Sequence, residues 1–237
     1  MSFVILQQQL CQQLATALGE TVSQQELAGC ITEADIVEPA PTKQFWLSTD
    51  TRAGIYLIIS GKVRLLDSAE NLITTVGAGC SFGEATLFAQ DFVPYTARAS
   101  SNVKLCYLKQ ERLQVLMEKY PSLRAHLLER AQLWDLLLIY RQNSQVECQP
   151  SDVPGILKAL SLFEPQTLDT NEKISAPPEG TLWLLHKGEL RHTDSQCLTP
   201  GKIYADLKPG IWLATKPTSA YILRSGHWQT ALGHWQQ

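Results

Sequence analysis

One stretch of this chain recurs, and the recurrence limits what the chain can fold into. Leu182-Trp183-Leu184-Leu185-His186-Lys187-Gly188-Glu189-Leu190-Arg191 follows Ile55-Tyr56-Leu57-Ile58-Ile59-Ser60-Gly61-Lys62-Val63-Arg64 residue for residue, with Gly188 standing 127 positions after Gly61. Further on, Pro200 to Asp206 follows Ala78 to Glu84 at an offset of 122, and Ala220 to Leu223 follows Leu105 to Leu108 at 115. Three matched stretches in one order argue for two units of one architecture. The shrinking offset places a loss of five residues before the acid at 84 and 206 and a loss of seven after it. The length agrees, since 237 residues at about 100 to 150 per domain make two.

Taken in order, Leu6, Leu10, Leu14 and Leu18 stand four apart on a glutamine-rich background, which predicts an amphipathic helix over Phe3 to Leu18. Ser23-Gln24-Gln25-Glu26 has the form of a capping box and predicts a second short helix through Leu27 to about Ile31. Asp35 to Pro41 reads as extended, because each proline moves its predecessor out of the helical region. Phe45 to Leu47 is a strand candidate, and Ile55–Ile59 with Val63–Leu66 reads as a hairpin turning at Ser60-Gly61-Lys62. Leu72 to Val76 and Val103 to Leu108 are further strands, the latter half-buried with Val103, Leu105 and Tyr107 on one face. Glu111 to Met117 is helical, and Pro121 opens a long helix to about Gln142. Its apolar positions Leu123, Leu127, Ala131, Trp134 and Leu138 approach a coiled-coil seam, so it either self-associates, giving a homodimer, or packs between two domains. Asn143 to Pro154 is polar with two prolines and reads as the connection. Strands followed by helices make an α+β chain of two antiparallel β-rolls with flanking helices and a long connecting helix. The expected divisions are N-terminal helices over 1–33, a first domain over 34–142, a linker over 143–154 and a shortened second domain over 155–237.

The segment Gly77-Ala78-Gly79-Cys80-Ser81-Phe82-Gly83-Glu84 is a glycine-rich bend closed by an acid. Backbone N–H groups in such a bend can converge on an anion, and Glu84 at the start of a one-turn helix is suited to accept hydrogen bonds from ribose hydroxyls. Glu84 also reads as a simple cap of that turn. Phe82, Leu87 and Phe88 read more readily as core than as ligand contacts.

A charged fraction of 18% and a net charge of −3 supply no basic patch, which argues against nucleic acid as a partner. The cysteines 11, 30, 80, 106, 148 and 197 are far apart, without metal-ligand spacing, and read as free thiols of a reducing cytoplasm. No apolar run approaches about 18 residues, so no membrane insertion of this segment is expected. No nucleophile with a partner base, Walker loop or metal cluster appears, and the histidines lack companion acids. No catalysis, metal or resident cofactor is therefore expected.

Phe82-Gly83-Glu84-Ala85-Thr86-Leu87, with Gly61 and Gly79 ahead of it, resembles the phosphate-binding cassette of the cyclic-nucleotide-binding domain family. The resemblance covers about Asp35 to Gln142 and, faintly, about Leu160 to Trp228. It implies that Gly79, Phe82, Gly83, Glu84 and Ala85 hold phosphate and ribose, and that an arginine about ten residues later grips the cyclic phosphate. That arginine is absent. A gap-free reading puts Val93 there, and matching the family's Pro-Arg dipeptide puts Tyr95 there. Tyrosine cannot make the bidentate contact of a guanidinium, so a cyclic nucleotide or other small effector is expected to bind weakly or not at all. Arg98 either substitutes for the missing cation or is a solvated strand residue. The glutamine-rich N-terminus, the paired units and Pro94-Tyr95-Thr96-Ala97-Arg98-Ala99-Ser100 also resemble the N-terminal regulatory region of bacterial peptidase-containing ABC exporters. The expectation is a cytoplasmic, non-catalytic sensor joined to downstream domains of a longer polypeptide, with Trp228 to Trp235 as its last helix. A catabolite-activator-type regulator without its DNA-binding part, or a purely structural interaction module, is the alternative.

Overall fold

The computed structural model describes residues 3–48, 52–88, 92, 94–100, 102–143, 162–175, 181–204 and 207–223. The molecule is α+β and divides into two compact units between Asp135 and Leu136. That division falls inside the long helix, earlier than the connection expected over 143–154, of which all but Asn143 lies outside the described residues.

The first unit opens with α1 (Phe3–Ala17) and α2 (Gln24–Glu33). Ser23 caps α2 by accepting from the Glu26 N–H, but Glu26 does not return the bond as a capping box would. Its carboxylate instead accepts from Arg112 at 2.8 Å and from Lys119 at 2.6 Å. The Lys119 ammonium first, and the Arg112 guanidinium after it, hold the carboxyl of Glu26 below its usual range. Eight strands follow: β1 (Asp35–Val37), β2 (Gln44–Leu47), β3 (Gly54–Ser60), β4 (Lys62–Leu66), β5 (Leu72–Gly77), β6 (Ser81–Phe82), β7 (Thr96–Ala99) and β8 (Lys104–Lys109). They form two antiparallel four-stranded sheets, β1-β8-β3-β6 and β2-β7-β4-β5.

The expected hairpin at Gly61 is therefore not a hairpin, since β3 and β4 lie in different sheets. Gly61 is the corner at which the chain changes sheet, at φ +85°, and a Cβ there would sit 2.3 Å from the Asn102 carbonyl oxygen. The strand β8 also differs from expectation: Leu105, Cys106, Tyr107 and Leu108 are all buried. Both its faces are covered, because Cys106 and Leu108 join a core with α1, α2 and α3 (Gln110–Lys119), while Tyr107 stacks on Tyr56 at 4.6 Å on the opposite face. The helix-side core includes Leu14, Leu18, Ile55, Leu57, Leu113 and Leu116, each side chain contributing about 1.5–3 kcal/mol on burial.

The long helix α4 (Pro121–Asn143) has the expected bounds within a residue. Leu123, Leu127, Ala131, Trp134 and Leu138 are all buried in the single chain, and Leu123 and Leu127 belong to the first unit's own core. Those two positions are thus not free to form a seam with a second copy.

In the second unit β9 (Glu164–Leu168), β10 (Lys173–Ser175), β11 (Leu182–His192), β12 (Cys197–Leu198), β13 (Lys202–Tyr204) and β14 (Ile211–Leu223) make one antiparallel sheet. Its spine is β11 against β14, with β9 and β10 on β14 and β12 and β13 on β11. Trp183, Leu185, Leu190, Leu198, Trp212, Ala214 and Ala220 form its core. Asp206, matched above to Glu84, and the expected helix Trp228 to Trp235 lie outside the described residues.

Candidate functional site

The cassette begins where β6 ends. Gly79 turns the chain at φ +85°, its N–H donating to the Ile58 carbonyl at 2.8 Å. Gly83 is left-handed at φ +101°, and a Cβ there would meet the Gly54 oxygen at 2.5 Å, so only glycine fits. A single 3-10 turn, Glu84–Leu87, follows. Thr86 fastens it to β3, with Oγ1 donating to the Gly83 oxygen at 2.7 Å and accepting from the Gly54 N–H at 2.9 Å.

The side chains that the sequence nominated have partners within the chain. The Gly83 N–H donates to the Tyr95 hydroxyl at 2.9 Å. Tyr95 is 2% exposed, its N–H donates to Ser48 Oγ at 2.9 Å, and its ring rests against Trp46 at 5.1 Å. Burial first, and the nearby Glu84 charge second, push the Tyr95 phenol far up, so it stays neutral at any ordinary pH. Glu84 is 0% exposed. Its Oε1 accepts from Ser81 Oγ at 2.6 Å and lies 3.5 Å from Arg130 Nε on α4. Phe82 stacks on Tyr56 at 5.3 Å and meets Trp46 edge-on, so it is a core ring between the two sheets, and Ala85 is buried beside it.

Arg98 is not brought to this group. It alternates with buried Ala97 and Ala99 along β7, points away from the roll interior, and pairs with Glu70 at 3.3 Å. Val93, the other candidate for the arginine position, lies outside the described residues. The sequence reading passed over Arg130, although one signal marked it: a charge three residues after buried Leu127 and four before buried Trp134 stands on the apolar side of α4. A cavity of about 540 Å³ opens near Arg52 and Tyr107, and one of about 330 Å³ near Cys30 and Val115. Among the described residues no group of three His, Cys, Asp or Glu could hold a metal ion, and no helix is long and apolar enough to cross a membrane.

Residues 44–120, from β2 through α3, match the family model of the cyclic nucleotide-binding domain. This segment is a cyclic nucleotide-binding domain. No curated protein matches the chain. Among solved structures, the chain is similar to the regulatory domain of Toxoplasma gondii PKA crystallised with cAMP (13% identity, TM-score 0.47, covering 100% of this chain and 95% of that one). It is also similar to the regulatory subunit of a cAMP-independent protein kinase A from Trypanosoma brucei (13%, 0.47, 99% and 90%). A third is the sensor domain of the transcriptional regulator DNR from Pseudomonas aeruginosa (21%, 0.45, 52% and 90%). Within the cyclic nucleotide-binding domain, Gly79, Phe82, Gly83, Glu84 and Ala85 occupy one short arc, Tyr95 closes on it, and Arg98 stays outside.

Proposed function

We propose that this chain is a non-catalytic regulatory module in which a cyclic nucleotide-binding domain keeps its cassette but fills it from within, followed by a shortened copy of the same β-roll. The observation that carries the reading is the Tyr95 hydroxyl on the Gly83 N–H, at the position where the Pro-Arg match would place an arginine. A neutral, buried phenol that accepts the cassette's N–H offers no cation to a cyclic phosphate. Loss of such a charge partner costs about 2–5 kcal/mol, or roughly 30- to several-thousand-fold in affinity.

Strand register supports the second copy. Tyr56 opposes Tyr107 as Trp183 opposes Ile222, and Leu57 opposes Cys106 as Leu184 opposes Tyr221. Tyr56 opposes Phe82 as Trp183 opposes Tyr204, and Arg64 opposes Thr75 as Arg191 opposes Cys197. Every one of these pairs is displaced by the offsets 127, 122 and 115 read from the sequence. Asp35 on Tyr107 answers to Glu164 on Ile222, an equivalence with no sequence signal of its own.

On this reading the module acts in the cytoplasm through domains downstream in a longer polypeptide. The glutamine-rich N-terminus and Pro94 to Ser100 favour a bacterial peptidase-containing ABC exporter as the whole. The gene past the codon for Gln237 tests that context: an open frame encoding apolar spans and a Walker loop supports it, and a stop codon sinks it. The filled cassette is tested by calorimetric titration with cAMP and cGMP. The expected result is no binding or a Kd well above micromolar, strengthened by Tyr95→Arg, and a submicromolar Kd for the unaltered chain refutes it.

A further inference from the structure

The rings of Phe82, Tyr56 and Tyr107 form a column inside the first unit, Tyr56 stacking on Phe82 at 5.3 Å and on Tyr107 at 4.6 Å. Because β6 and β8 flank β3, the two neighbours take opposite faces of Tyr56. The column ends at Tyr107, since among the described residues no further ring stacks on it, and there it meets the cavity of about 540 Å³ that it lines. Tyr107 is pinned rather than free to fill that space. Its hydroxyl donates to the Ala53 carbonyl at 3.0 Å, and its ring leans over Gly54, where a Cβ would stand 2.7 Å from Cε2. Half-buried Phe45 supplies a second aromatic wall. A fixed ring at the wall of a cavity of this size suits a flat apolar group, because little freedom is lost when the two meet.

The rim decides what else such a molecule must carry. Asp35, Arg52, Lys109 and Glu111 line the cavity with two charges of each sign. Asp35 and Lys109 pair with each other at 3.2 Å, whereas among the described residues Arg52 and Glu111 are in no ion pair. Both act on the same ring: burial first and the Glu111 carboxylate next push the Tyr107 phenol up, and the Arg52 guanidinium opposes them. One guanidinium and one carboxylate are thus left over beside one aromatic platform. A guanidinium grips a carboxylate in a two-pronged contact, and a carboxylate accepts from an ammonium. A phosphate fits this rim poorly, because the two acidic side chains repel it.

We propose that this cavity binds a small aromatic zwitterion of the aromatic amino-acid class, with its ring against Tyr107, its carboxylate on Arg52 and its ammonium on Glu111. The site stands at the end of the column away from Phe82, so the proposal goes beyond the reading of the cassette, and neither falls with the other.

The test is calorimetric titration of the full chain with L-phenylalanine and three relatives: 3-phenylpropionate, which lacks the ammonium, phenethylamine, which lacks the carboxylate, and glycine, which lacks the ring. L-Phenylalanine should bind with a Kd below about 1 mM, and each relative about tenfold or more weaker. Arg52→Gln should weaken L-phenylalanine and 3-phenylpropionate by about tenfold and leave phenethylamine unchanged, whereas Glu111→Gln should weaken L-phenylalanine and phenethylamine and leave 3-phenylpropionate unchanged. Both positions are exposed, so the two variants should keep the fold. No binding of L-phenylalanine at about 1 mM, an acid or amine alone that binds as well as the amino acid, or binding indifferent to both substitutions would overturn the proposal.

Discussion

The two units differ in how the chain runs past a glycine at positive φ, Gly61 in the first and Gly188 in the second. In the first, the chain breaks at Gly61, so β3 and β4 enter separate sheets, and β7 and β8 are likewise distinct strands. In the second, β11 runs unbroken through Gly188 at φ +86°, and β14 runs unbroken for 13 residues opposite it, the change of direction being absorbed by register shifts between Leu185 and Leu190. The first unit places Trp46, Tyr56, Phe82, Tyr95 and Tyr107 between its sheets and carries the cassette arc on top of them. In the second, the run from Tyr204 to Ile211 is seven residues shorter than the one from Phe82 to Thr96, and a core of Trp183, Trp212 and leucines fills the sheet face. Hydrophobic alternation fixes strand register locally in either unit, whereas the cassette of the first needs partners from distant segments.

The comparison breaks most visibly if the aromatic interior of the first unit proves dispensable. Trp46→Ala should cost about 4 kcal/mol in chemical unfolding, against about 1 kcal/mol for Ile174→Ala at the matching register position, where the side chain is only half-buried. Equal costs would show that the two interiors are not differently built. Next come the two glycines. A Cβ on Gly61 would stand 2.3 Å from a backbone oxygen and one on Gly188 2.4 Å from Thr218 Oγ1, both at positive φ, so each alanine variant should lose about 2–3 kcal/mol. A neutral Gly188→Ala would mean that the corner is not shared.

Tyr95→Phe comes third and has no counterpart in the second unit. Removing the hydroxyl leaves the Gly83 N–H buried and unpaired, at about 1–2 kcal/mol, readable as a lower unfolding midpoint with unchanged slope. The smallest effect belongs to the second unit's exposed loop, where Asp194 accepts from Lys208 Nζ and pairs with His192, holding its carboxyl far below the usual range. A depressed folded-state value stabilises above the ordinary carboxylate range, about pH 3.9, and that stability fades as pH falls below it. The stability gap between the unaltered chain and Asp194→Asn should therefore be full at neutral pH and close in acid. A gap that widens in acid would contradict the pairing.

Much of this was legible in the sequence, and what was not has a common cause. Leucine spacing gave α1, the Ser23 cap gave α2, Pro121 gave the start of α4, and the glycine and acid pattern located the cassette, because each is a local signal. The hairpin at Gly61 was misread because a β-branched run, a glycine and a second run look the same whether the strands pair or part, and only Asn102 and Val103 across the corner decide. Glu26 looked like half of a capping box, yet Arg112 and Lys119, 86 and 93 residues on, compete better for its carboxylate. Tyr95 could be placed where an arginine was missing, but that its hydroxyl takes the Gly83 N–H depends on Ser48 holding its backbone N–H and Trp46 its ring. Arg130 was hidden for the same reason: nothing near it in sequence says that Glu84 is its partner.

The central claim is that Tyr95 occupies the cassette's N–H, and exchange of the single Gly83 amide, followed by NMR, tests it most directly. The predicted result is strong protection in the unaltered chain and a rise of about tenfold or more in Tyr95→Phe, the factor that about 1.4 kcal/mol of local opening corresponds to. A Gly83 amide that exchanges as fast as a solvated loop in the unaltered chain, or that is equally protected in Tyr95→Phe, would contradict it.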